Sequence, residues 1–124
     1  MVQSAGLHEA QELLSTQTID RHRAIVSLGE ELEAIDWYDQ RVEAAQDAEL
    51  AAILAHNRDE EKEHAAMVLE WIRRRDPVLD MNLRRYLFTD GSILAIEETS
   101  EPGTAVPPRV TGSLGIGGLG ERQL

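Results

Sequence analysis

Cysteine is absent from the 124 residues. That excludes disulfides, thiolate zinc sites and iron–sulfur clusters, and leaves carboxylates and imidazoles as the strong metal donors. Aromatic residues make up only 4% of the chain against 42% hydrophobic, a balance that suits a helical domain better than a sandwich or barrel. Basic residues are scarce: 12 Lys and Arg face 23 Asp and Glu, for a formal charge of −11. So acidic a chain repels phosphate backbones and anionic bilayers, which disfavours nucleic acid and membrane partners and makes cations the natural small ones. No run approaches the roughly 20 apolar residues that span a bilayer, and no basic segment followed by an apolar one precedes the first helical pattern. A soluble, unexported, cytoplasmic protein of one small domain is the expectation.

Proline is missing from everything before Pro77. From about Ser15 to Ala45 the only breaker is Gly29, and Ala24, Leu28, Ile35, Tyr38 and Val42 recur at alternating steps of four and three, which predicts one long helix. Glu31 fills the remaining place on that line. A second helix opens at Asp47, a capping residue, with Glu49 in its first turn and Arg73, Arg74 and Arg75 in its last, each suited to the helix dipole. Leu50, Leu54, Asn57, Glu61, His64, Val68 and Trp71 keep the same alternating steps along it. Two ionisable residues thus sit where the seam would otherwise be apolar. Asp76-Pro77 starts a short third helix, carried by Leu79, Leu83, Tyr86 and Leu87 to about Phe88 and stopped by Asp90-Gly91. The expected fold is all-α: two long antiparallel helices plus a short C-terminal one, in a domain spanning residues 1–96. Pro102, Pro107 and Pro108 mark residues 97–111 as a linker that cannot pack a core. Residues 112–124 form a disordered tail, in which Leu114, Ile116 and Leu119 are spaced by glycine and read as a short ligand for a groove.

A glutamate three residues before a histidine on a helix places both side chains on one face, so Glu61 and His64 can hold the same ion. In isolation the spacing is common, and a solvated charge pair is the ordinary explanation. Its place on the seam changes that, because burying an unpartnered carboxylate costs several kcal/mol. Glu31 on the first helix has the same character. Ferritin-like di-iron sites take one Glu from each of two helices and a Glu-x-x-His from each of two others. This chain holds one of each kind, which is half the donors and half the bundle. A two-fold dimer would complete both, with four carboxylates and two imidazoles meeting across an isologous interface.

The segments Glu30-Glu31-Leu32-Glu33-Ala34-Ile35-Asp36-Trp37-Tyr38 and His56-Asn57-Arg58-Asp59-Glu60-Glu61-Lys62-Glu63-His64-Ala65 resemble the encapsulated ferritin family. The resemblance runs from roughly Thr18 to Phe88. It implies that Glu31, Glu61 and His64 from both chains of a dimer hold two iron ions, that Glu30 and Glu33 form an acidic site where metal enters, and that Trp37 and Tyr38 stand beside the centre. It further implies a ferroxidase that uses Fe²⁺ and dioxygen, a decameric ring of five dimers, and residence in the lumen of an encapsulin shell reached through Leu114, Ile116 and Leu119. Calcium, manganese or zinc are further candidates for the same sites, since oxygen and imidazole donors accept several divalent ions. Read from the residues alone, Trp37 and Tyr38 are core or interface anchors, Glu30, Glu33, Glu60 and Glu63 belong to a solvated helix face, and His8, His22 and His56 are not ligands. A non-catalytic dimeric adaptor with a docking tail is the competing function from a different class.

Overall fold

The first long helix begins where a hydroxyl can take over the duty of a missing backbone acceptor. Ser15 adopts an extended backbone conformation and accepts a hydrogen bond from the Thr18 N–H at 3.1 Å, which starts helix α1 at Thr16–Ala44. The computed structural model describes residues 6–99. A single 3-10 turn, Gln11–Leu13, precedes α1. After Ala45 and Gln46, the Asp47 carboxylate accepts from the Leu50 N–H at 2.9 Å and opens helix α2, Ala48–Arg73. The Asp47 cap falls where the sequence placed it, and α1 starts directly after the expected Ser15.

The two helices pack along their lengths, and their pairings run in opposite senses: Asp39 meets Arg58, whereas the earlier Glu31 meets the later His64. The connection is thus an antiparallel hairpin. Ala24, Leu28, Glu31, Ile35, Tyr38 and Val42 of α1 are all half-buried, so the alternating line lies on its inward face. On α2 Leu54, Asn57, Glu61, Val68 and Trp71 are half-buried, but Leu50 and His64 are exposed and the buried residues are Ala65 and Ile72, so the line runs along the edge of the inward face. The stop of α2 is reinforced by charge. Glu70 accepts from Arg73 and Arg74 at 2.7 Å each, and Arg75 donates to the Trp71 carbonyl at 3.1 Å while its guanidinium lies 3.9 Å over the Trp71 ring.

A second compact unit begins at Pro77. It holds α3, Pro77–Tyr86, and α4, Ile93–Thr99. Instead of one short C-terminal helix there are two. Helix α3 stops at Tyr86, before the Phe88 expected from the apolar spacing, because Phe88 takes a left-handed conformation with φ of 62° and the Thr89 hydroxyl binds the Tyr86 carbonyl at 2.7 Å. Gly91, with φ of 85°, completes the turn at little cost. Ser92 then accepts from the Ala95 N–H at 3.2 Å and caps α4. The Arg85 guanidinium donates to the Ile96 and Glu97 carbonyls at 2.9 and 2.8 Å, holding the end of a helix too short to persist alone. Helix α4 therefore reaches Thr99, past Ile96, where composition placed the start of the linker. Leu114, Ile116 and Leu119 lie outside the described residues.

Among the described residues only Ala65 and Ile72 are buried, while Ile25, Leu32, Ile53 and Met67 of the hairpin are each more than half exposed. Two helices have a single seam between them, and that seam cannot cover four apolar flanks. No helix among the described residues is long and apolar enough to cross a membrane.

Candidate metal centre

Glu31 sits near the middle of the inward line of α1, and the antiparallel run of α2 places Glu61 and His64 opposite it. One donor atom from each of Glu31, Glu61 and His64 lies within 4.8 Å of the others. His64 Nδ1 is 3.2 Å from a Glu61 oxygen and 3.8 Å from a Glu31 oxygen. The carboxylates are about three-quarters withdrawn from solvent, with side-chain exposures of 24% for Glu61 and 26% for Glu31, whereas His64 is 47% exposed. One edge of the cluster is open and the other is walled by the seam.

The electrostatics follow from that crowding. The hydrogen bond to Glu61, aided by burial and by the Glu61 charge, holds the Glu31 carboxyl above its ordinary value against the opposing pull of His64. The same bond, with His64 beside it, holds Glu61 below its ordinary value. Crowding two carboxyls in this way favours a proton or a cation between them. A divalent cation can take that place, binding both oxygens and the imidazole nitrogen, so the donor set fits a hard or borderline cation. Two hollows on the hairpin surface, of about 750 and 300 Å³, are lined around Trp71 and Arg75 and include none of the three residues.

The other residues singled out from the sequence are not in this cluster. Glu30 is exposed on α1, and Glu33 is half-buried and engaged by a neighbour. Trp37 is 52% exposed, while Tyr38 is half-buried on the inward line with the Arg41 guanidinium 5.5 Å from its ring centre. His56 pairs with Glu60 at 3.3 Å. Arg58 escaped the sequence reading. It is only 23% exposed and bonds Asp39 of the facing helix at 3.1 Å. An opposite-charge pair between antiparallel helices becomes visible only once their register is known.

Comparison with known proteins agrees with this architecture. Residues 6–90 match the family described as EncFtn-like. An encapsulated ferritin-like protein of Rhodospirillum rubrum is 56% identical over 96% of this chain and 91% of its own. A ferritin-like protein of Thermotoga maritima is 50% identical, covering 88% of this chain and 93% of its own. An encapsulin nanocompartment cargo protein of Myxococcus xanthus is 34% identical over 63% of this chain and 65% of its own. The crystal structure of a protein from Nitrosomonas europaea superposes with a TM-score of 0.69 at 65% identity, covering 71% of this chain and 97% of that one. An all-α hairpin with a Glu, Glu, His cluster on its seam, matched over most of its length by these relatives, belongs to the EncFtn-like family of encapsulated ferritins.

Proposed function

We propose that the chain is a ferroxidase, which takes up Fe²⁺ and oxidises it to Fe³⁺ with dioxygen at a di-iron site made by two copies of the chain. The observation that carries this reading is the convergence of Glu31, Glu61 and His64 within 4.8 Å. Three donors from one chain are too few for two iron ions. Two copies related by a two-fold axis supply four carboxylates and two imidazoles, the ferritin-like complement. The exposed apolar flanks of the hairpin and its small core support the same association.

Iron is the substrate here, and the protein's part is to gather and release it. Glu31 and Glu61 bind the ion as carboxylates, so Fe²⁺ competes with protons for the oxygens between them. Carboxylate-rich coordination favours ferric over ferrous ion, so two Fe²⁺ held side by side give one electron each to dioxygen, which with two protons from water leaves as hydrogen peroxide, and the iron leaves as Fe³⁺. Glu30 and Glu33 gather cations at the approach, and Trp37 and Tyr38 support the interface. A hairpin cannot enclose a mineral. Storage then needs a container, and the encapsulin named for the Myxococcus xanthus relative supplies one for this chain as well. The Rhodospirillum rubrum relative matches 96% of the chain, so the likeness continues past Thr99 into the stretch that holds Leu114, Ile116 and Leu119, the segment assigned to docking on the shell wall. A decameric ring of five dimers inside that lumen completes the proposal.

Glu61→Ala and His64→Ala should each abolish oxygen-dependent Fe²⁺ oxidation, followed as ferric absorbance in air, while circular dichroism stays helical. Unchanged rates in both variants would leave the chain as an adaptor.

A further inference from the structure

Metal ligands contributed by two helices are only as well placed as the register between those helices. Sliding α2 past α1 by one turn moves its side chains by about 5.4 Å, more than the whole extent of the cluster, and far smaller shifts already spoil coordination. The apolar seam resists such shifts weakly. Ala24, Leu28, Ile35 and Val42 repeat at near-regular steps opposite Leu54 and Val68, and methyl groups pack comparably after small displacements.

A directional bond between the helices is a different matter. The ion pairs Arg23 with Asp20, His56 with Glu60, Lys62 with Asp59, and Glu70 with Arg73 and Arg74 each stay on one helix. Arg58 crosses. Its Nε donates to Asp59 at 3.1 Å, which turns the planar guanidinium so that Nη1 donates to Asp39 of α1 at 3.1 Å. The Arg58 side chain is only 23% exposed and Asp39 is 56% exposed, so the guanidinium is held against the hairpin while its acceptor stays open to solvent. Arg58 also lies one turn before Glu61, and the contact falls between the Ala45–Asp47 connection and the cluster. The short connection sets the register at the closed end of the hairpin, and the Arg58–Asp39 bond carries it toward the ligands.

The geometry points to Arg58, oriented by Asp59 and anchored on Asp39, as the positioning residue that holds Glu31 at coordinating distance from Glu61 and His64. It touches no metal and acts through the helix register. This inference rests on the three ligands binding a divalent cation, so the test separates the two. Mn²⁺ binding to the full chain is measured by electron paramagnetic resonance for the unaltered protein, His64→Ala, Arg58→Met, Arg58→Lys, Asp39→Leu and Asp39→Asn. Binding that is indifferent to His64→Ala overturns the ligand reading itself.

Given His64-dependent binding, Arg58→Met and Asp39→Leu should each weaken Mn²⁺ affinity about tenfold and alter the spectrum of the bound ion, at unchanged helicity. The double variant should be no worse than either single one, because both remove the same bond. Asp39→Asn keeps an acceptor and should retain near-normal binding. Arg58→Lys should fail to rescue, since an ammonium lacks the fork that reaches Asp59 and Asp39 together. Asp39 is more than half exposed, so its variants remain informative even if Arg58→Met does not fold. Affinity and spectrum unchanged in Asp39→Leu, or losses that simply add in the double variant, would overturn the positioning role.

Discussion

Two carboxyl groups in contact repel each other when both ionise, and at the Glu31–Glu61 pair this conflict shifts Glu31 above its ordinary value and leaves Glu61 below its own. Because Glu31 titrates above its ordinary value, its contribution to the metal-free fold is present at low pH and fades as pH rises through its folded pKa. Cation binding carries the opposite sign, since the ion competes with protons for the same oxygens. Mn²⁺ affinity should therefore fall as pH is lowered from about 7 toward Glu31's range, with proton release detectable by calorimetry in buffers of different ionisation enthalpy. Glu31→Gln, which cannot ionise, should weaken binding and remove most of that pH dependence. An unaltered affinity profile in this variant would separate Glu31 from the site. Glu31 and His64 were identifiable as seam intruders from their spacing alone. Arg58 was not, because its partner Asp39 is 19 positions away and on another helix.

At the scale of the helix, the ends are set by a few polar atoms. Asp47→Ala removes the acceptor for the Leu50 N–H and should destabilise the hairpin by about 1 kcal/mol in chemical denaturation. The far end of α2 behaves differently with pH. Arg73 foremost, then Arg74, holds Glu70 down to about 2 from its ordinary 4.5. A depressed carboxylate stabilises the fold above its unfolded pKa, and that contribution is lost as pH falls from about 4.5 to about 2. Thermal melts followed by circular dichroism should show Glu70→Gln less stable at neutral pH, with the difference closing at the acid end of that interval. Both long helices were legible in the sequence because Ser15 and Asp47 announce their starts and the four-three spacing runs on without a proline. Helix α4 was illegible for the converse reason. Its seven residues show no clear apolar stripe, and its end is held by Arg85 from eleven and twelve positions upstream.

For the whole molecule, the described residues bury little and leave apolar flanks that the proposed second copy would cover. A chain that completes its core only with a second copy should melt at a temperature that rises with protein concentration, and scans across a hundredfold dilution would reveal it. A concentration-independent midpoint would mean that the hairpin is self-sufficient. The C-terminal stretch makes a separate prediction. Removing the residues from Gly112 onward should leave Fe²⁺ oxidation unchanged and abolish loading into an encapsulin shell, because the proposed ligands Glu31, Glu61 and His64 all lie before that stretch. Loss of oxidation on truncation would refute that separation.

Amino-acid order by itself determined the helical class, the two long helices with the Asp47 cap between them, and the choice of oxygen and nitrogen donors, since these depend on local spacing and on the absence of cysteine. Tertiary structure decided which of many acidic residues converge. Twenty-three carboxylate side chains are present, and only the antiparallel register brings Glu31 to Glu61 and His64 while leaving Glu30, Glu60 and Glu63 exposed. Periodicity specifies a face of one helix. The height at which two faces meet is a property of their packing, and a metal site requires both.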